Sequence, residues 1–208
     1  MLARASAELL HDYLANDAEW WRTLNAGDKT SDPGPESIAD LTGDKSRALL
    51  DAVHAQARDG FQYLDDCVRV SDDRAERAKR GLPVDRLIDL FNAPDTLGLL
   101  RQIIGEDSIV QVDGQATRYL GGHFLTAHDD DVAGKKRVAA YVLSLNPKWR
   151  TEWGGLLQFH NDSGDVSGAF APCFNTLHLF RVPQFHSVTD VTPFAGPPRF
   201  LVTGRLRR

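Results

Sequence analysis

Apolar residues recur every three to four positions through the first half of this chain and in short alternating runs through the second. The first spacing is that of a helix face and the second that of a half-buried strand. Ala5–Leu14 carries a short amphipathic helical stripe. Trp20–Asn25 is aromatic and β-prone, and reads as a strand. Asp28–Gly43, rich in Gly, Pro, Ser and Asp, reads as a loop. Asp44 then caps a predicted helix running to Leu64, with Leu49, Leu50, Val53, Ala57, Phe61 and Leu64 on one stripe. Val68–Val70 is a short strand, and the charged run Ser71–Gly81 is a loop or an exposed helix. Pro83–Asn92 and Asp95–Ile104 are two more helices, the second closed by Gly105.

After Gly105 the period changes. Strand-like segments appear at Ile109–Tyr119, Arg137–Leu145, Gly155–Phe159, Thr176–Arg181 and Phe200–Arg205, separated by turn residues. That rhythm predicts a jelly roll, or double-stranded β-helix, buttressed by N-terminal helices, an α+β fold. No repeat or low-complexity tract is visible, and no Pro/Gly-rich linker lies between the helical and β halves. The expectation is therefore a single domain over 1–208, with mainly helical support in 1–105 and the jelly-roll core in 106–208.

Composition narrows the class. A chain of 208 residues with 42% hydrophobic and 25% charged positions is that of a soluble globular protein. A net charge of -5 speaks against a nucleic-acid binder. No apolar run approaches the roughly 20 residues of a membrane span. The N-terminus lacks the apolar core of a signal peptide. Cys67 and Cys173 alone make no disulfide framework, so a cytoplasmic location is the default.

The candidate chemistry lies in the β half. His11 and His54 fall in the helical half and read as surface or half-buried side chains. His123, His128, His160, His178 and His186 fall among the strands. In an extended segment His128 and Asp130 share a face, whereas Asp129 and Asp131 point away into solvent. The bland reading of that acidic run is a solvated turn. With His186 from a distant strand, His128 and Asp130 complete a two-histidine, one-carboxylate set, which suits non-haem Fe(II). Arg199 is placed to hold the far carboxylate of a dicarboxylate co-substrate. His178, eight residues before His186, is the strongest rival for the distal ligand; His160 lies too near Gly154-Gly155.

Read in order, these segments resemble the 2-oxoglutarate- and Fe(II)-dependent oxygenases, in particular their prolyl 4-hydroxylase branch. The resemblance spans Ile103–Leu206. It runs from Arg118-Tyr119-Leu120 through His128-Asp129-Asp130, the strand Arg137–Pro147, Trp149, and Glu152–Leu157. Pro172, Asn175, Phe180, His186–Val191 and Arg199 complete the series. It implies His128, Asp130 and His186 as metal ligands and catalytic centre, and Arg199 as the 2-oxoglutarate arginine. Fe(II), 2-oxoglutarate, dioxygen and, as accessory reductant, ascorbate are the implied cofactors. The implied reaction is hydroxylation of an unactivated C–H, with 2-oxoglutarate decarboxylated to succinate.

Two departures stand out. Arg199 comes thirteen positions after His186, a longer gap than many relatives have, with Arg205 as the rival arginine. Ser144 occupies the place of a co-substrate tyrosine, so Tyr119 or Tyr141 is expected to supply that hydroxyl, assisted by Thr203. Leu156 and Phe159 are expected to fill the barrel interior. Trp149 and Trp153 read as lid or packing residues, and Arg205, Arg207 and Arg208 as a solvated tail or an anion site.

Three functions are compatible with this sequence. One is a hydroxylase of a prolyl residue in a peptide or protein, and another a hydroxylase of a free amino acid or other small molecule. The third is a non-catalytic jelly-roll binding protein. Asp130 argues against a halogenase, which needs that ligand position free. No nucleic-acid or membrane partner is implied, and oligomeric state is not legible.

Overall fold

The computed structural model describes residues 1–26, 29–31 and 43–208. Among the described residues, five α-helices precede most of the strands: α1 (Arg4–Asn16), α2 (Gly43–Ala57), α3 (Arg74–Arg80), α4 (Pro83–Phe91) and α5 (Pro94–Ile104). The early strands are β1 (Trp21–Ala26), β2 (Lys29–Ser31) and β3 (Tyr63–Arg69). Next come β4 (Gln111–Val112), β5 (Gln115–Tyr119), β6 (Phe124–His128) and β7 (Arg137–Ser144). The last are β8 (Leu157–His160), β9 (Val166–Phe170), β10 (Thr176–Arg181), β11 (His186–Val188) and β12 (Arg199–Arg207).

Helix formation follows local chemistry. Val84, Leu87, Ile88 and Phe91 form the buried stripe of α4, behind Pro83 in its first turn. Asp73 caps α3 by accepting from the Ala75 N–H, and Gly81 ends it in the left-handed conformation. Gly105 ends α5 in the same way, as expected. Where the charged run was left open between loop and exposed helix, it contains a helix that is only partly exposed. Arg77 is buried, ion-paired with Asp89 and bonded to the Ser71 and Asp72 carbonyls.

Two expectations need correction. The helix predicted from Asp44 to Leu64 stops at Ala57, and Tyr63–Arg69 is a strand. Leu64 still joins Val53 in a small core with Leu24 and Phe124, but from the sheet side. The predicted loop Asp28–Gly43 lies largely outside the described residues, yet Lys29–Ser31 pairs with β1 as a strand. The N-terminal half is accordingly more than helical support: β3 sits in the middle of the sheet.

The curled sheet runs β10-β7-β12-β5-β3-β6-β11-β8-β9, and each neighbouring pair in that order is antiparallel. β3 joins the halves, pairing with β5 through Asp66–Arg69 and with β6 through Tyr63–Leu64. This is the jelly-roll arrangement, with two layers of packing. Outside, α1, α4 and α5 bury Leu10, Leu14, Val84 and Leu100 against Ala116, Leu143, Val202 and Leu206. Inside, Tyr119, Val142, Leu157, Val188 and Leu201 form a second cluster. Strand alternation decides which residues face which layer. Along β12, Arg199, Leu201, Thr203 and Arg205 border the interior cavity, while Phe200, Val202 and Leu206 face the helices. On β8, Leu157 and Phe159 share the inner cluster, so the expected partner of Phe159 is Leu157 rather than Leu156.

Candidate active site

The interior opens as a cavity of about 490 Å³, with His128, Asp130, His186 and Arg199 in its wall. His128 arrives on β6 and His186 on β11, directly opposite each other in the antiparallel pair. The pairing then slips: four residues on β6 (His128 to Leu125) stand against three on β11 (His186 to Val188). Such an irregularity re-aims a side chain relative to simple alternation. It lets His128 face the same cavity as Leu125, three residues earlier. Asp130 follows past the strand end at φ 64°, a left-handed backbone that Asp tolerates better than most residues. The three residues do converge, although the regular extended spacing expected from the sequence is not how they do so.

Among the described residues, these three make the one group whose ligand atoms all lie within 4.8 Å of one another and could hold a metal ion. The His128 and His186 ring centroids are 4.1 Å apart. Each Nε2 is 3.7 Å from an Asp130 oxygen, His128 from Oδ1 and His186 from Oδ2. Each Nδ1 faces a backbone carbonyl, that of Thr126 at 3.1 Å for His128 and that of Gln184 at 2.7 Å for His186. A carbonyl only accepts, so both Nδ1 atoms carry the proton and both Nε2 atoms offer a lone pair to the shared point. Burial and the neighbouring His186 push His128 down to about 4. Burial also lowers His186. Both rings are thus neutral, the form that binds metals. Burial opposes ionisation of Asp130, but the Arg205 guanidinium, with His128 and His186, outweighs it and keeps the carboxyl below its usual range.

Arg199 stands on the same inner face. It is only 1% exposed, and its Nε and Nη1 have no hydrogen-bond partner. Burial pushes it down to about 10, still charged at neutral pH. Its guanidinium carbon lies 5.0 Å from the Tyr119 ring centroid. A buried cation without a counter-charge is costly, and the donors it leaves open are those a carboxylate would fill. Gly155 makes room for it: a Cβ there would sit 2.9 Å from Arg199 Cδ.

The other expected residues sort themselves by face. Tyr119 points inward, and its hydroxyl pairs with Asp65, whose carboxylate also accepts from Thr23. Thr203 borders the cavity two residues from Leu201, as expected. Tyr141 borders the cavity too, but its ring belongs to the helix-side core, edge-on to Phe91 at 5.1 Å, and its hydroxyl donates to the Asp113 carbonyl at 2.9 Å. Of the two expected hydroxyls, that of Tyr141 is thus engaged by a backbone carbonyl on the helix side. Arg205 is neither an alternative to Arg199 nor part of a solvated tail. Its Nε and Nη2 donate to Asp130 Oδ1 at 3.2 and 2.6 Å. His178 sits opposite Val142, beside the Phe170 ring and apart from the three-ligand group. His160 meets the Ser187 hydroxyl at 2.8 Å. Asp131 is exposed, while Asp129 is half-buried and accepts from the Asp131 N–H. Trp149 donates to the Gly154 carbonyl and packs edge-on against Trp153, a packing role. Cys67 and Cys173 are not joined in a disulfide.

Asp65 and Arg137 escaped the sequence reading. Asp65 is buried in the cavity wall, and desolvation raises it to about 7, with Asp66 adding to the rise. In the sequence it falls just past the predicted helix end at Leu64, where no pattern marks its face. Arg137 was read only as a strand start, yet its Nη1 donates to the Asp130 carbonyl at 3.1 Å.

Comparison with known proteins agrees with this geometry. Residues 114–207 match the family model of the 2OG-Fe(II) oxygenase superfamily. That stretch, β5 to β12, is the jelly-roll core and contains all four residues. No curated protein sequence matches the chain. Among solved structures, the chain is similar to a prolyl-4-hydroxylase from Pseudomonas putida, with 20% identity over 98% of both chains and a TM-score of 0.53. It is similar to an oxidoreductase of the 2OG-Fe(II) oxygenase family from Burkholderia pseudomallei, with 15% identity over 100% of this chain and 93% of that one and a TM-score of 0.55. A prolyl 4-hydroxylase structure from Phytophthora capsici gives 20% identity over 100% of this chain and 67% of that one, with a TM-score of 0.51. Identities this low establish a shared fold. The match of residues 114–207 to that family model agrees with the resemblance read from the ordered motifs.

Proposed function

We propose that this chain, as a single oxygenase domain, is a 2-oxoglutarate- and Fe(II)-dependent dioxygenase that hydroxylates an unactivated C–H, that of a prolyl residue in a peptide or protein. One observation carries the reading. The unpartnered, buried Arg199 guanidinium and the convergent His128–Asp130–His186 donors open onto the same cavity.

The residues present fit the implied groups. Two neutral imidazoles and a carboxylate suit Fe(II). A guanidinium with open donors in a desolvated wall suits the far carboxylate of 2-oxoglutarate. When bound, iron with 2-oxoglutarate and dioxygen supplies decarboxylation to succinate and transfer of one oxygen atom into the C–H bond.

The chain's own residues do the rest. His128 and His186 present Nε2 because Thr126 and Gln184 hold their Nδ1 protons. Arg205 fixes Asp130. Arg199 orients the co-substrate, flanked by Tyr119 and Thr203. Leu125, Leu157, Phe180 and Val188 line the cavity and keep water from the reacting centre.

The test is anaerobic addition of Fe(II) and 2-oxoglutarate, followed by their weak visible charge-transfer band. We expect the band in the parent and its loss in Arg199→Ala at the same co-substrate concentration. An unchanged band in that variant refutes the Arg199 role. No metal uptake and no succinate would return the chain to a non-catalytic binding protein. A panel of prolyl peptides and free amino acids, scored for succinate and for the hydroxylated product, then tests the prolyl assignment.

A further inference from the structure

The cavity does not end at Asp130. A second cavity of about 400 Å³ adjoins it, and Arg69, Gln115, Arg137, Thr203 and Arg205 border both. Five cationic side chains line this outer chamber: Arg69, Lys135, Arg137, Arg205 and Arg207. Among the described residues, two carboxylates line it, Asp72 and Asp113, and Arg69 is engaged in an interaction of its own. Arg207 is ion-paired with both, at 2.8 Å to Asp72 and 3.0 Å to Asp113.

The carboxylate that serves Arg137 and Arg205 is Asp130, at 3.6 and 2.6 Å. That same carboxylate is the proposed iron ligand. Asp113 also acts on both arginines while paired with Arg207, so two carboxylates would face three guanidinium groups and a dication. Asp129, on the rim of the first cavity, turns its carboxylate to the Asp131 N–H. Both 2-oxoglutarate carboxylates have places already, at Arg199 and at the metal. The chain as a whole has a net charge of -5, so this concentration of positive charge is local and opposite to the protein's average. Both arginines keep an accessible part, at 21% and 24% side-chain exposure.

We infer that the prime substrate carries a carboxylate, seated against Arg137 and Arg205 where the two cavities meet. This rests on the proposed oxygenase reading and narrows its substrate class. Guanidinium groups hold carboxylates through directed, charge-assisted pairs, and here they do so partly out of water. The carboxylate belongs either to the substrate's own chain end or to an acidic side chain next to the reacting residue. A carboxylate bound there directs the adjacent C–H toward the metal and covers the cavity mouth.

The test uses the protein loaded anaerobically with Fe(II) and 2-oxoglutarate, with perturbation of the visible band as the binding signal. Two matched pairs are titrated. N-acetylproline against N-acetylprolinamide tests a chain-end carboxylate. Acetyl-Pro-Asp-amide against acetyl-Pro-Asn-amide tests an acidic side chain. In at least one pair we expect the acid to bind tenfold or more tightly than its neutral twin, with the preference shrinking as salt rises. In Arg137→Gln the preference falls below threefold, because only the acid loses affinity; Arg137→Lys restores part of it. A merely structural Arg137 would weaken both members alike. Equal binding within both pairs, tighter binding of the neutral members, or a band that no probe perturbs at millimolar concentration overturns the inference. If the band itself never forms, the oxygenase reading fails instead.

Discussion

Arg205 holds Asp130 by a single oxygen: Nε and Nη2 both donate to Oδ1, while Oδ2 faces His186 Nε2 at 3.7 Å. A carboxylate gripped on one side is orientated on the other. Asp130 lies beyond the end of β6 on a left-handed backbone, so its own chain does little to aim it. Arg205→Leu should therefore weaken Fe(II) binding by roughly 10- to 100-fold, the usual effect of removing a partner behind a metal ligand. Metal titration of the parent and the variant measures this. Equal affinities would show that Asp130 is aimed without Arg205.

Arg199 is a site residue kept at the expense of stability. Without a bound anion its buried charge has two open donors. Arg199→Met conserves much of the volume and removes the charge, and such replacements are often neutral or stabilising by about 1–4 kcal/mol. We expect its melting temperature without co-substrate to equal or exceed the parent's. Its 2-oxoglutarate affinity should fall by at least 100-fold. Calorimetric melting with and without 2-oxoglutarate reads both, since only the parent should be stabilised by the ligand.

Gly155 is the space through which Arg199 passes. Its φ is +62°, and an added Cβ would sit 2.9 Å from Arg199 Cδ and 3.1 Å from Val191 Cγ2. Gly155→Ala should cost about 1–3 kcal/mol in backbone strain and crowding. Because Arg199 must shift, KM for 2-oxoglutarate should rise more than kcat falls. Steady-state kinetics and chemical denaturation together check the pair of effects.

Asp65 should make co-substrate binding pH-dependent. Burial raises its carboxyl to about 7, Asp66 adds to the rise, and Thr23, Tyr119 and Arg69 oppose it. Below that pH it is neutral and leaves Arg199 free to meet a dianion. Above it, a second negative charge enters the same wall, so 2-oxoglutarate affinity should fall as pH rises through about 7. Asp65→Asn should flatten that profile. The stability contribution has the same sense. The folded value lies above the ordinary 3.8, so the contribution is complete below 3.8 and is lost as pH rises through about 7. Isothermal titrations from pH 6 to 8 on both proteins decide the first part.

Much of this protein is legible along the chain. Period-3.6 stripes with Pro and Gly boundaries place α4 and α5, and alternating runs place β7, β10 and β12, because both signals are local. The identities of His128, Asp130, His186 and Arg199 also follow from residue type and order, since few side chains suit a metal and a carboxylate. What fails is whatever depends on a distant partner. The stripe after Asp44 extends through Phe61 and Leu64 on paper, but β5 and β6 claim Tyr63–Arg69 as a strand, and sheet pairing outweighs local periodicity.

The site shows the same division. The sequence alone determined which donors the chain owns. Only the tertiary structure decided how they meet: the slip between β6 and β11 re-aims His128, and Arg205 from the last strand fixes Asp130. It also decided that Tyr141 faces the helices, that Asp65 enters the cavity and that Arg137 stands beside the proposed iron ligand. The physical reason is that a side chain's face, burial and counter-charge are set by pairing across the sheet, and residues 75 apart, such as Asp130 and Arg205, acquire that relationship only when the jelly roll closes.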